Sequence, residues 1–302
     1  MASGPAAGGS GTIDWLDFGL STHLFHAEPL AAAHIEAVAA HGFTAIEVFA
    51  TRSHVDYHDP QTGRDLASWC AASGVRLHSV HAPITEFLRG TTWGPPFSTG
   101  SAQAAHRART VGECTRALEL AAHAPYSYLV LHLGVPDEYA PPSGDNQREA
   151  VLRTLDALRP VAERVGVRIA VEVIPNALSS ARQLVRLIED EELHDLGVCL
   201  DVGHARLQGD VVDALETVAG YLVTTHVHDN GGRRDDHLLP FDGVIDWAEL
   251  LIGFQKVGYD GTLMFELAAA ADGAAATLRR AAAVRSRMEA MLGQDTFAFT
   301  DE

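Results

Sequence analysis

The sequence predicts a single (β/α)8 barrel, and three observations support this. Short runs rich in apolar and β-branched residues alternate along the chain with segments that have the periodicity of packed helices. Such alternation implies parallel strands joined by right-handed crossovers. Eight strand–helix units spread over roughly 250 residues have the usual size of a TIM barrel. The chain of 302 residues, 47% of them hydrophobic, can bury a core of that size.

The predicted elements alternate from residue 15 onward. The predicted strands are 15–22, 43–50, 75–84, 128–134, 167–176, 196–204, 221–229 and 261–267. The predicted helices are 29–42, 65–74, 102–124, 147–166, 180–190, 210–220, 246–258 and 276–292. Segment 86–100 is a longer loop with Trp93 and two prolines. Such a loop is either a lid or substrate wall, or a plain surface connection.

A doubly wound sheet is the alternative architecture. It is disfavoured because no strand is followed by Gly-x-Gly-x-x-Gly, and Gly203 stands alone. Residues 13–295 show no domain boundary and are predicted to form one barrel. Residues 1–12, which are small and polar, are predicted to be a flexible tail and carry no signal-peptide pattern.

Charge and cysteine content limit the partners and the compartment. The net charge is −18, from 22 basic against 40 acidic residues, so a nucleic-acid backbone would be repelled unless a basic patch or bound metals compensated locally. No apolar run approaches the roughly 20 residues that span a bilayer. The three cysteines form no Cys-x-x-Cys pair and indicate reduced thiols. We therefore expect a cytoplasmic protein without a membrane partner, and homo-oligomerisation stays open.

Metal-capable side chains lie at the carboxyl ends of six successive predicted strands or in the loop after the seventh. They are His78, His81, His132, Glu172, Asp201, His204, His226, His228, Asp235, His237 and Glu266. In a barrel these ends meet at one rim. Burying several carboxylates together is costly without cations, which favours a metal site. Other histidines, away from strand ends, are interpreted as structural: His23, His26, His54, His58, His106, His123 and His194. Of these, His54 and His58 follow the second strand and could line the pocket.

Several motifs at these strand ends carry a family resemblance. They are HAPI (81–84), VLHLG (130–134), VEVIPN (171–176), CLDVGHA (199–205), HVHDN (226–230), RRDDH (233–237) and FEL (265–267). From about residue 13 to residue 292 the chain resembles the xylose-isomerase-like TIM barrel superfamily. That superfamily includes sugar isomerases and epimerases and the endonuclease IV group.

The resemblance implies one metal site, here named the core set: Glu172, Asp201, His226 and Glu266. Some epimerases use the second histidine of His-x-His, which would make His228 the ligand, but the form of YLVTTHVHD favours His226. Glu172 and Glu266 would be the catalytic base and acid, transferring a proton next to a metal-bound carbonyl. The groups that bind the sugar would be His204, His228, Arg233 and Arg234. Trp93 or Phe87 would either form an apolar wall of the site or pack in the core.

The resemblance leaves a second activity open. The endonuclease IV type of site adds five ligands for up to three zinc ions, at positions matched by His81, His132, His204, Asp235 and His237. A zinc phosphoesterase acting on abasic DNA is therefore the alternative. Ile84, where the DNA enzymes carry a stacking Tyr, and the acidic charge speak against it.

The prediction is thus an enzyme of carbohydrate metabolism, a sugar or sugar-phosphate isomerase or epimerase with one to three divalent ions of zinc, manganese or cobalt. Lyase chemistry on a related hydroxy-ketone begins with the same proton abstraction and stays open. A barrel that only binds a sugar-like effector, or an inactive subunit, is disfavoured by the intact set of acidic ligands.

Overall fold

The computed structural model describes residues 16–89, 92–138 and 144–293. The strands are Asp17–Ser21 (β1), Ala45–Phe49 (β2), Arg76–His81 (β3), Leu88–Arg89 (β4), Thr92–Trp93 (β5), Tyr128–Leu131 (β6), Arg168–Glu172 (β7), Gly197–Asp201 (β8), Leu222–Val227 (β9) and Thr262–Phe265 (β10). The α-helices are Ala32–Ala40 (α1), Pro60–Ser73 (α2), Ala104–Glu119 (α3), Arg148–Val165 (α4), Ala181–Asp190 (α5), Val202–Gln208 (α6), Val211–Val218 (α7), Trp247–Lys256 (α8) and Ala274–Leu292 (α9). Single 3-10 turns span Thr22–Phe25 and Leu120–Ala122.

Eight parallel strands close into a barrel in the order β1, β10, β9, β8, β7, β6, β3, β2. The predicted single (β/α)8 barrel is confirmed. Because all eight strands run the same way, their carboxyl ends meet at one mouth, where side chains far apart in the sequence become neighbours. The remaining two strands, β4 and β5, form an antiparallel hairpin between β3 and α3.

The helices cover the outside of the barrel with one apolar face each. In α5 the buried positions Leu184, Leu187 and Ile188 follow the spacing of one helix face. Side chains cap the N-termini of several helices. The Asp59 side chain accepts the backbone N–H of Gln61 at the start of α2, and the Ser180 side chain accepts that of Gln183 at the start of α5. The strands are buried on both sides because side chains fill the barrel and helices cover it.

One departure from the predicted elements lies next to the mouth. The predicted strand 196–204 ends at Asp201, and the next residues form α6. The Asp201 carboxylate accepts the backbone N–H of His204 at 2.7 Å, so the acid that closes the strand also caps the helix. His204 therefore lies in the first turn of a helix. The apolar Val202 made this segment look like a continuing strand.

Further segments differ from the predicted elements. The predicted strands 75–84, 128–134 and 167–176 end earlier, at His81, Leu131 and Glu172. The predicted loop 86–100 contains the hairpin of β4 and β5. The predicted helix 65–74 begins earlier, at Pro60, because Asp59 caps it and proline is well suited to a first helical position.

His78 lies near the amino-terminal end of the barrel, away from the mouth. Arg76 donates to its Nδ1 at 2.6 Å, so its Nε2 donates to Thr224 Oγ1 at 2.9 Å. Burial, and then the charge of Arg76, lower the pKa of His78 to about 4. His78 is therefore a neutral structural histidine, although its strand suggested metal-binding capacity.

Within the described ranges, no helix is long and apolar enough to cross a membrane. The predicted tail at residues 1–12 lies outside the described residues. The domain limits 13–295 stay a prediction.

The cysteines provide a test of the barrel packing. Cys70, Cys114 and Cys199 are free and buried, and burial raises the pKa of Cys70 to about 11 and that of Cys114 to about 12. A rise of about two pK units lowers the thiolate fraction near neutral pH about 100-fold. We expect a thiol-specific reagent to label the native protein slowly at pH 7.5 and to label all three thiols after unfolding in guanidinium. Rapid labelling of the folded protein would contradict this packing.

Candidate metal centre

The core set lies together at the mouth of the barrel. Glu172 ends β7, Asp201 ends β8, His226 lies one residue before the end of β9, and Glu266 directly follows β10. One ligand atom of each residue lies within 4.8 Å of the others, and all four residues are buried. Neighbouring parallel strands thus bring together four groups that span nearly a hundred residues of sequence.

His226 stands at the centre of this set. Its Nδ1 lies 3.1 Å from Glu172 Oε1 and 3.2 Å from Glu266 Oε2. The same nitrogen lies 3.7 Å from Asp201 Oδ2. One imidazole nitrogen therefore faces three carboxylates in a space closed to solvent.

Two further histidines, here named the outer pair (His81 and His132), approach the other oxygen of Glu172. His81 Nε2 lies 3.3 Å and His132 Nε2 lies 3.0 Å from Glu172 Oε2. The Nδ1 of His81 lies 2.9 Å from the carbonyl oxygen of Ala82 and donates to it, which leaves Nε2 free to act as a ligand.

A second cluster, here named the loop group, adjoins the core set and consists of His204, His228, Asp235 and His237. Asp235 Oδ2 lies 3.0 Å from Nε2 of both His204 and His237. The His228 and His237 rings stack with centroids 4.1 Å apart. His228 Nε2 also lies 3.0 Å from Asp201 Oδ1, so the loop group and the core set share that aspartate as a neighbour.

Asp229 holds the loop that carries Asp235 and His237. Its buried carboxylate accepts the Trp247 indole N–H at 2.7 Å and several backbone N–H groups, those of Asn230, Phe241, Val244 and Ile245. Its backbone pairs with Leu238 in both directions. His237 takes a left-handed backbone with φ 45°. Such a conformation persists because the surrounding bonds fix it.

Several carboxylates and histidines of the site shift one another's pKa toward the charged form. Burial would raise the pKa of Glu172, but the charges of His132 and His226 outweigh it and hold that pKa well below its usual range. Burial would lower the pKa of His81 and that of His237. Glu172 instead raises the pKa of His81 to about 9, and Asp235 raises that of His237 to about 10.

These residues fit a divalent cation. Among the described side chains, no Lys or Arg forms an ion pair with the acids of the core set or with Asp235, so histidines alone balance them. Three buried atoms there make no hydrogen bond of good geometry, namely Glu172 Oε2, His132 Nε2 and Asp235 Oδ1, although the first two lie only 3.0 Å apart. Atoms that converge at such distances without well-aligned hydrogen bonds suit coordination of a cation. The mixture of imidazole and carboxylate donors is typical of zinc, manganese or cobalt.

Arg233 and Arg234 lie outside this cluster. Both are exposed, and the Arg234 side chain is 83% accessible, with its closest acidic partner, Asp236 Oδ1, at 3.7 Å. The fixed loop turns these two side chains outward while it turns Asp235 and His237 inward. Their role in sugar binding stays a prediction.

The mouth includes two groups that the sequence interpretation did not assign to it. His23 lies two residues after the end of β1, and its ring lies 5.0 Å from that of His237. Burial together with the charge of His237 lowers the pKa of His23 well below the usual value. Glu47 lies in β2 with both oxygens 3.1 Å from His226 Nε2. The signals available in the sequence were a histidine just after the first strand and a single acid inside an apolar strand.

An aromatic wall leads outward from His23. The His26 ring lies 4.8 Å from His23, and the Trp93 ring, on the β4–β5 hairpin, lies 6.4 Å from His26. Trp93 is 49% exposed, so it lines the approach to the mouth and is not part of the core.

Residues 35–287 match the family model described as xylose isomerase-like TIM barrel. An uncharacterized protein of Methanocaldococcus jannaschii is 28% identical over 263 residues, which cover 83% of each chain. The D-psicose 3-epimerase of Ruminiclostridium cellulolyticum is 24% identical over 241 residues, which cover 77% of this chain and 76% of the relative.

Solved structures show the same fold. A D-tagatose 3-epimerase-like protein superimposes with a TM-score of 0.74 at 23% identity, covering 91% of this chain and 98% of the other. The IolI protein with a bound zinc atom superimposes with a TM-score of 0.72 at 17% identity, covering 93% of this chain and 99% of the other.

Proposed function

The chain belongs to the xylose isomerase-like TIM barrel family, and from that premise we propose that it is a divalent-metal-dependent isomerase or epimerase of a sugar or sugar phosphate. The observation that carries the proposal is the core set, whose ligand atoms lie within 4.8 Å of one another in a buried mouth. The relationship to a D-psicose 3-epimerase and the fold shared with a zinc-containing IolI protein support it.

The core set would hold the cation. When bound, the cation would polarise a sugar carbonyl and make the neighbouring C–H more acidic. Glu172 and Glu266 reach the site from β7 and from the end of β10, two strands that β8 and β9 separate. Two carboxylates that approach from separate strands suit removal of a proton by one and its return by the other. Such positioned proton transfer is commonly worth about 10²–10⁴-fold in rate.

Other residues would orient the substrate. His204 and His228 lie beside the core set and offer ring nitrogens to sugar hydroxyls. His204 is held by its backbone bond to Asp201, and its Nε2 lies 3.0 Å from Asp235 Oδ2. Phe49 lies 4.9 Å from the His23 ring and 5.5 Å from the His81 ring, and gives this side of the mouth an apolar surface.

A zinc phosphoesterase acting on abasic DNA is the second candidate. The outer pair and the loop group favour it, because with the core set they supply the ligands for three ions that the endonuclease IV resemblance implies. The net charge of −18 opposes a DNA partner.

Metal content and solvent-proton exchange distinguish the two candidates. We expect protein loaded with Mn²⁺ or Co²⁺ to convert members of a panel of ketoses and their phosphates, and to incorporate deuterium from D₂O at the carbon that changes. The expected metal content is one ion per chain, and an abasic duplex is expected to stay intact. About three zinc ions per chain, nicking of that duplex and no deuterium incorporation would instead establish the phosphoesterase.

A further inference from the structure

Glu47 is a buried acid in the middle of an apolar strand. Its neighbours in β2 are Ala45, Ile46, Val48 and Phe49, and its own accessible surface is 0%. A carboxylate in such a place is costly unless its oxygens receive hydrogen bonds. Its partners therefore indicate why the acid is there.

The two flanking strands satisfy part of this carboxylate. Ser21 of β1 and Ser79 of β3 are the register partners of Glu47 in the barrel. Ser21 Oγ donates to Oε1 at 3.1 Å, and Ser79 Oγ donates to Oε2 at 2.8 Å. Three adjacent strands thus fix the carboxylate at one level of the barrel interior.

Glu47 also contacts His226. Both carboxylate oxygens lie 3.1 Å from His226 Nε2. An ionised carboxylate only accepts hydrogen bonds, so Nε2 carries the hydrogen and donates it. Its other nitrogen, Nδ1, faces Glu172 and Glu266. When a divalent cation replaces a hydrogen on Nδ1, the ring can keep its Nε2–H bond to Glu47 and offer the Nδ1 lone pair to the cation.

We propose that Glu47 is a positioning residue that fixes the ring of His226 and directs its Nδ1 to the metal. The inference rests on the proposed metal centre and adds a residue that does not itself touch metal or substrate. Histidine ligands commonly donate their other N–H to a carboxylate, which sets the tautomer and ring orientation and makes the ligand nitrogen more basic. His228 differs in this respect, because its Nδ1 lies 3.5 Å from a backbone carbonyl, that of Asp229, and not against a carboxylate.

The variant Glu47→Gln tests this role. Glutamine has the same size, but its single amide oxygen cannot accept from Ser21, Ser79 and His226 together. We expect the dissociation constant for Co²⁺ or Zn²⁺, measured by competition with a chelator, to rise about 10–100-fold. The cobalt absorption spectrum should also change. Unchanged affinity and spectrum in a folded variant would overturn the proposal.

Glu113→Gln is the matched control. Glu113 lies on α3 and also accepts from a hydroxyl and contacts a histidine, because Tyr57 donates to it at 2.6 Å and His58 Nε2 lies 2.9 Å away. Among the described residues, the contacts of Glu113 are with Tyr57 and His58 and none is with the core set, so its variant should bind metal as the unaltered protein does.

A second measurement needs no change at position 47. The protein is labelled with ¹⁵N-histidine, and the His226 signals are identified by their loss in His226→Asn. Added Zn²⁺ should change the ¹⁵N chemical shift of Nδ1, while Nε2 keeps its hydrogen. Coordination through Nε2 would overturn the proposal even if Glu47→Gln does not fold. Failure of the unaltered protein to bind any divalent metal would refute the metal centre itself, whereas normal binding with an unaffected Glu47→Gln refutes only the role of Glu47.

Discussion

Replacing Glu172 or Glu266 by glutamine is expected to abolish turnover and leave the barrel folded. Each side chain is buried at the mouth and contacts His226 Nδ1, at 3.1 Å and 3.2 Å respectively. Glutamine keeps the shape but cannot take up a proton from carbon. Loss of the acid–base contribution alone should lower kcat about 10²–10⁴-fold. The measurement is kcat at saturating Mn²⁺ or Co²⁺, with circular dichroism to verify the fold.

Metal binding must be measured in the same variants, because both glutamates belong to the core set. A variant that still carries metal but has lost turnover separates proton transfer from coordination. Glu113→Gln again serves as a control with normal activity, since Glu113 contacts Tyr57 and His58 and no member of the core set among the described residues. Retained activity in either glutamine variant would remove both glutamates from the proposed mechanism.

His226→Gln is expected to lose the core metal, whereas His228→Gln is expected to keep it. His226 Nδ1 faces Glu172, Asp201 and Glu266, and its other nitrogen is held by Glu47. His228 instead contacts Asp201 and stacks on His237 in the loop group. We expect metal affinity to fall at least about 100-fold in His226→Gln, because loss of a ligand should cost more than the roughly 10–100-fold that follows loss of a residue that only orients a ligand.

In His228→Gln we expect a lower kcat/KM at full metal occupancy of the core set, because a group beside the substrate is removed. Elemental analysis of both purified variants, combined with kinetics at saturating metal, checks this. The opposite order of metal loss would make His228 the ligand after β9. That result would also remove the basis for the proposed role of Glu47.

The sequence predicted that the members of the core set share one mouth because of a simple property of parallel barrels, whereas the family resemblance selected these four as metal ligands. Glu172 and Asp201 each end an apolar strand, and Glu266 directly follows one, so strand polarity alone predicts that they share a mouth. The structure brings their ligand atoms together within 4.8 Å, as that property requires. The placement of His226 follows from the same rule, since it lies one residue before the end of β9.

Other parts of the site depend on contacts that a strand pattern does not contain. Glu47 became visible only through the register of β1, β2 and β3, which aligns it with Ser21 and Ser79. His204 was predicted on a strand because the N-cap bond of Asp201 is a local tertiary detail. The outward direction of Arg233 and Arg234 follows from the bonds of Asp229 across its loop.

The most direct test of the metal centre is anomalous X-ray diffraction from crystals of the protein loaded with Zn²⁺ or Co²⁺. The predicted result is a peak bound by His226 Nδ1 and by one oxygen each of Glu172, Asp201 and Glu266, at about 2.0–2.2 Å. Loaded protein with no anomalous peak among these four side chains, or with the carboxylates turned away from one another, would contradict the account.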